Sequence, residues 1–104
     1  TTAPVGAIKK ALDLAQLKSS QLDLCEINEA FSVVTMVTIK ELGLSADRVN
    51  IHGGAVALGH PLGASGARIL TTLIHSLHAR NGRYGLASLC NGGGEATAVI
   101  IERL

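Results

Sequence analysis

The sequence predicts an α/β domain with the element order α–β–α–α–β–β. Two stretches carry apolar residues at helical spacing, a third is long and apolar on most faces, and three short runs read as strands. Two glycine-rich loops lie between them: Gly53-Gly54-Ala55-Val56-Ala57-Leu58-Gly59-His60-Pro61-Leu62-Gly63-Ala64-Ser65-Gly66, and Cys90-Asn91-Gly92-Gly93-Gly94. They hold eight of the twelve glycines. A core does not require glycines in such clusters, but a backbone that turns through positive φ or lets another atom come close does.

The first helix is expected over residues 4 to 18, with Val5, Ile8, Leu12, Ala15 and Leu17 on one stripe and Lys9, Lys10, Asp13 and Lys18 elsewhere. Thr1-Thr2-Ala3-Pro4 suits a cap followed by a proline in the first turn. Ser19-Ser20-Gln21 ends the helix, and Leu22 to Ile27 reads as a short strand. Asn28 then suits the N-cap of a second helix, Glu29 to Leu42, stopped by Gly43. That helix is apolar on most faces and is expected to be buried on several sides, although its β-branched residues disfavour an isolated helix.

Residues 45 to 51 form a connector ahead of the first glycine loop. A third helix starts at Pro61 or Gly63 and runs to Arg80, with Ile69, Leu70, Leu73, Ile74 and Leu77 on one face and Asn81-Gly82 as its stop. Tyr84 to Leu89 and Ala96 to Ile101 are two strands joined by the loop from Cys90 to Glu95, longer than a two-residue hairpin turn. Three strands and three helices, one of them apolar all round, leave surface uncovered. Further strands are expected from a preceding part of the chain, and Thr1, which is not a natural translation start, points the same way.

At 104 residues the chain suits one domain at most, and 47% hydrophobic residues suffice for a core. Net charge is +1, the charges are scattered, and there is one Phe, one Tyr and no Trp. A nucleic-acid surface, which wants clustered Lys/Arg and stacking aromatics, is set aside. No apolar run reaches the ~18–20 residues of a membrane span, and no signal peptide opens the chain. Cys25 lies in a strand-like run and Cys90 in a glycine loop, which suggests no disulfide and a reducing compartment.

His60 stands between Gly59 and Pro61, and the proline restricts it to extended backbone. A ring aimed this way could take a proton from a thiol or donate to a carbonyl oxygen, and a histidine present only for the shape of the turn is as good a reading. Cys90 ends a strand where the N–H groups from Asn91 to Gly94 can form an anion-binding concavity, suited to a thiolate or an oxyanion. The plainer reading is a small buried hydrophobe. Asn28 is simply an N-cap or else a holder of water or a carbonyl. Glu26 and Glu29 are near it, but the sequence gives no paired-carboxylate geometry. His75 and His78 lie i,i+3 on one helix without a completing ligand, so a solvated face is expected and no metal. His52 is structural or exposed, and Cys25 packs in the sheet. The glycine spacing matches neither a dinucleotide fingerprint nor a phosphate loop.

Taken together, Asn28-Glu29-Ala30-Phe31, Gly59-His60-Pro61 and Cys90-Asn91-Gly92-Gly93-Gly94 resemble the three C-terminal motifs of thiolases, in the family's order and over nearly the whole chain. Gly53 to Arg68 is especially similar to the biosynthetic, acetoacetyl-CoA type. The resemblance implies a five-layered α-β-α-β-α subunit of two similar halves. Residues 1–104 would be a partial C-terminal domain, the later part of the second half, with a mixed sheet flanked by helices. It implies ping-pong acyl transfer through an acyl-cysteine, condensing two acetyl-CoA molecules or cleaving a 3-ketoacyl-CoA with CoA. His60 would activate the nucleophilic cysteine and help bind the thioester oxygen, and Asn28 would hold a water in the same oxyanion hole. Cys90 would move the proton at the substrate α-carbon, and the Gly92 N–H would belong to a second oxyanion hole. Coenzyme A thioesters are then substrates, with no cofactor. The complete enzyme would be a homodimer or homotetramer of lipid and fatty-acid metabolism, intracellular, and cytoplasmic ahead of mitochondrial or peroxisomal.

No residue here matches the family's nucleophilic cysteine, and Cys25 sits where the family has none. Most of the CoA-binding loop and the tetramer-forming region also lack counterparts. The chain therefore reads as half an active site, inactive alone. A ketosynthase-type condensing enzyme is the nearer alternative, against which Cys90 speaks. A non-catalytic module that assembles with a partner is the other.

Overall fold

A computed structural model describes residues 2–104. Its elements are α1 (Ala3–Ala15), β1 (Leu24–Ile27), α2 (Ser32–Leu42), the one-turn α3 (Ala55–Leu58), α4 (Ser65–Arg80), β2 (Tyr84–Cys90) and β3 (Ala96–Glu102). Short 3-10 turns occupy Ser19–Gln21 and Ala46–Arg48. The expected element order holds, with α3 added inside the first glycine loop.

The sheet order is β1-β2-β3. β1 runs parallel to β2, with Leu24 opposite Gly85 and Ile27 opposite Ser88. β2 and β3 form an antiparallel hairpin from Tyr84–Glu102 to Cys90–Ala96. The sheet is therefore mixed, as expected. Side chains alternate across it. Cys25, Ile27 and Leu86 join Ile8 and Leu12 of α1 in one cluster, while Leu24 and Ala87 join Ile69, Leu73 and Leu77 of α4 in the other. Ile8 and Leu73 are fully buried, and an aliphatic side chain so placed contributes about 1.5–3 kcal/mol by burial.

The helix ends show where the sequence reading was too long. α1 stops at Ala15 because Gln16 turns left-handed, and Leu17 N–H then bonds back to the Leu12 carbonyl. Pro4 lies in the first turn as expected, but Thr2 makes no side-chain cap, and Thr1 lies outside the described residues. Gly43 and Asn81 close α2 and α4 in the same left-handed way. β1 begins at Leu24 rather than Leu22, since the Leu22 N–H bonds to Ser19 in the preceding turn.

Two expectations about α2 are corrected. It starts at Ser32 with Phe31 in the cap position, so Asn28 is not its N-cap. The chain stays irregular from Asn28 to Phe31 because Asn28 is engaged elsewhere. Nor is α2 buried on several sides: Met36 is 67% exposed and Val33 also faces outward, while Thr35 and Thr38 are buried. The buried hydroxyls are satisfied locally, Thr38 donating to the Val34 carbonyl and Thr35 to that of Ile27.

Candidate active site

β1 and β2 run in the same direction, so their C-terminal ends bring Asn28 and Cys90 to one end of the sheet. The Asn28 N–H bonds to the Ser88 carbonyl at 2.9 Å, which seats Asn28 beside the C-terminal end of β2. The Asn28 side chain, 1% exposed, points to the face that carries α4. There its Nδ2 lies 3.4 Å from Nε2 of His60, 32 residues away in sequence.

His60 is aimed by its own loop. Gly59 takes φ 97, a conformation closed to most side chains, and Pro61 follows. The His60 Nδ1 is in hydrogen-bond contact with Oγ of Ser65, the first residue of α4. Ser65 is fully buried, and its hydroxyl donates to the Pro61 carbonyl at 3.2 Å. A hydroxyl has one proton to give. With that proton on Pro61, Oγ accepts from His60 Nδ1–H, and the Nε2 lone pair is left facing the Asn28 amide. The site thus presents a ring nitrogen able to take a proton, with an N–H donor beside it.

Cys90 is the last residue of β2, half-buried and unpaired. No polar contact joins it to His60 or Asn28 among the described residues. The expected run of free N–H groups is shorter than the sequence suggested, because Asn91 N–H closes the turn onto the Glu95 carbonyl at 2.7 Å. Among the described residues the N–H groups of Gly92, Gly93 and Gly94 find no backbone acceptor. Gly93 and Gly94 hold positive φ, and both are exposed.

Four further side chains lie near this end of the sheet; Ser65, Asn50 and Arg68 were not weighed from the sequence as site residues, and Glu26 was weighed only for a carboxylate pair. Ser65 is one, and only its position five residues after His60 hinted at it. Asn50 is the second: its amide pairs with both backbone groups of Ile27. Glu26 and Arg68 are the others. Glu26 is buried, and that burial pushes its carboxyl up to about 7 against the opposing pull of Arg68. Glu26 Oε1, Asn28 Oδ1 and the Arg68 Nε and Nη1 atoms are all buried without a protein partner. Glu29 packs under Gly54, where a Cβ would fall 2.0 Å from its Oε1; this glycine is needed for close approach.

The remaining candidates lie away from the site. His75 and His78 are exposed on α4, and His52 is exposed. Cys25 is buried in the sheet, and burial pushes its thiol up to about 12, which leaves it a packing residue. Among the described residues no helix is long and apolar enough to cross a membrane. Beside the site, a groove of about 520 Å³ is lined by Glu29, Met36, Asn50, Gly54 and Val56. Phe31 (74% exposed) and Leu62 (81%) add further uncovered apolar surface.

Comparison with known proteins gives a consistent result. Residues 1–103 match the family described as "Thiolase, C-terminal domain". Acetyl-CoA acetyltransferase 1 of Arabidopsis thaliana is 60% identical over 102 residues, covering 98% of this chain and 25% of that protein. The mitochondrial acetyl-CoA acetyltransferase of Rattus norvegicus is 54% identical over 102 residues, covering 98% and 24%. The crystal structure of the Acat5 thiolase from Ascaris suum, in complex with coenzyme A, superposes with a TM-score of 0.91 at 54% identity, covering 98% of this chain and 26% of that one. The chain spans about a quarter of the length of these relatives.

Proposed function

The chain belongs to the thiolase family, as its C-terminal domain, and on that premise we propose that it supplies His60, Asn28, Cys90 and the Gly92 N–H to the active site of an acyl-CoA acyltransferase. The observation that carries the proposal is the meeting of Asn28 Nδ2 and His60 Nε2, two motifs far apart in sequence. The substrates are coenzyme A thioesters, acetyl-CoA in condensation and acetoacetyl-CoA in thiolysis. The nucleophilic cysteine comes from a segment outside these residues, one that also covers the exposed apolar surface around Phe31, Met36, Val56 and Leu62.

In this reading His60 Nε2 takes the proton of the nucleophilic thiol. The thiolate attacks the thioester carbonyl, the bond from that carbon to the CoA sulfur breaks, and the departing CoA thiolate takes the thiol proton of Cys90. The protonated ring then donates to the acyl oxygen, together with a water held by the Asn28 amide, whose Oδ1 is otherwise unpartnered. Cys90, as thiolate, removes the α-proton of a second acetyl-CoA. The resulting carbanion attacks the acyl-cysteine, and the cysteine sulfur leaves with its electron pair. The Gly92 N–H donates to the oxygen of the second thioester as charge develops there. An intracellular site of action fits two unpaired cysteines and the rat relative's mitochondrial designation.

The test is a graft. Residues 1–104 replace the corresponding quarter of the Arabidopsis acetyl-CoA acetyltransferase 1. Thiolysis of acetoacetyl-CoA by the graft, and none by residues 1–104 alone, is the expected result. A folded graft without thiolysis would overturn the catalytic reading in favour of an assembly module.

A further inference from the structure

We propose that Asn50 is a positioning residue that fixes the peptide leading into Asn28 and so sets how Asn28 meets His60. The inference rests on the thiolase reading, since it concerns the work of Asn28.

Among the described residues β1 has no strand on its outer edge beyond a single bridge from Cys25 to Val49. Past that bridge the outward backbone groups of Ile27 would lack partners. Asn50 supplies them. Its backbone N–H bonds to the Cys25 carbonyl at 2.9 Å. Its side-chain Oδ1 accepts from the Ile27 N–H at 2.9 Å, and its Nδ2 donates to the Ile27 carbonyl at 2.8 Å. A carboxamide has the donor and acceptor of a peptide group, and here it stands in for the next residue of a neighbouring strand.

The Ile27 carbonyl and the Asn28 N–H belong to one peptide unit. Its carbonyl end is held by Asn50 and by the Thr35 hydroxyl at 3.3 Å. Its N–H end is held by the Ser88 carbonyl of β2 at 2.9 Å. A planar unit tied at both ends has little freedom to rotate, which fixes the backbone from which the Asn28 side chain leaves the strand. Asn50 adopts φ 50, which asparagine tolerates better than most residues. That turn also lets the Asn50 carbonyl accept from Gly53 N–H at 2.9 Å, at the start of the loop that ends in His60. One residue therefore braces both the strand end that carries Asn28 and the loop that carries His60.

The graft described above carries the test. Asn50→Gly keeps the positive φ and removes the clamp. Its kcat for thiolysis is expected to fall at least tenfold, with KM for acetoacetyl-CoA within twofold of the parent. Added to Asn28→Ala, it should cost less than a further twofold, because Asn50 acts through Asn28. Fully multiplicative losses, or a folded Asn50→Gly with parental kcat, overturn the proposal. Should Asn50→Gly fail to fold, Thr35→Val removes one tie to the same carbonyl with little change of shape. It should lose severalfold in kcat, again without adding to Asn28→Ala, and multiplicative or absent losses overturn the proposal there too. Amide exchange gives a readout independent of turnover. The Ile27 N–H should lose at least tenfold protection in Asn50→Gly relative to Leu86, and unchanged protection overturns the clamp even in an inactive graft. A parent graft that fails to turn over, yet shows the exchange effect, counts against the thiolase reading alone.

Discussion

The Ser65 hydroxyl bridges the His60 ring and the Pro61 carbonyl, so a buried serine at the start of α4 decides which ring nitrogen carries the proton. Ser65→Ala should separate this role from folding. The Pro61 carbonyl also accepts from the N–H groups of Ala64 and Ser65, at 2.7 and 2.9 Å, and stays satisfied without the hydroxyl. The stability loss should be about 1 kcal/mol or less. The His60 ring loses its orienting partner, for which a fall in kcat of about tenfold is expected by analogy with other oriented histidines. Thiolysis rates and urea midpoints of the grafted enzyme check both, and an unchanged kcat would exclude Ser65 as the orienting group.

His60 and Cys90 should fail at different steps. His60→Ala should suppress formation of the acyl-cysteine, since it removes the ring nitrogen that takes the proton of the nucleophilic thiol. Cys90→Ser should leave acylation intact and slow proton transfer at the α-carbon. General acid–base groups contribute about 10²–10⁴-fold, and losses of that order are expected. Rapid-quench detection of the acyl-enzyme distinguishes them: normal acylation in His60→Ala, or a near-normal overall rate in Cys90→Ser, contradicts the assigned roles.

Gly54 tests the packing beneath the site. Its backbone is extended, with φ −124, so conformation alone admits any residue. Space does not: an added Cβ would meet Glu29 at 2.0 Å and Asn50 Nδ2 at 3.1 Å. Glu29 can swing away, whereas Asn50 cannot without releasing Ile27. Gly54→Ala should therefore destabilise by about 1–3 kcal/mol, and the double variant Gly54→Ala/Glu29→Ala should recover only the part due to Glu29, leaving the strain against Asn50. A single variant as stable as the parent in thermal unfolding would show that the contact is slack.

The parts legible in the sequence were those set by local rules. Helical spacing located α1 and α4, length and the Gly43 stop located α2, glycine and asparagine marked the ends of α2 and α4, and the loop after Cys90 announced a hairpin. Asn28 shows where local rules stop. An asparagine ahead of an apolar run is a good N-cap, yet here the helix starts later because Asn28 is held by Ser88 and meets His60, a contact spanning 32 positions. The same holds for Asn50, whose value lies in filling the open edge of a strand that local patterning cannot see. Thr35 and Thr38 were read past because a hydroxyl that bonds a nearby carbonyl can be buried like an apolar group. The apolar character of α2 was read correctly, but not the face it would expose.

Glu26 gives the chain a pH dependence with a definite sign. Burial pushes its carboxyl from the usual 4.5 up to about 7, with Glu29 adding to the rise and Arg68 opposing it. The folded state thus holds this proton more firmly than the unfolded chain does. Its contribution is fully present below about 4.5 and is lost as pH rises through about 7. Above that pH a carboxylate stands on the sheet face beneath Asn28 with one oxygen unpartnered. Urea midpoints between pH 5 and 8 should fall with rising pH by an amount equivalent to about 1–3 kcal/mol from this group. Glu26→Gln should flatten that slope, since its amide stays neutral throughout. A Glu26→Gln profile parallel to the parent's would place the titration elsewhere. A parent more stable at pH 8 than at pH 5, with the difference abolished by Glu26→Gln, would mean that Arg68 holds the charged form and outweighs the cost of burial.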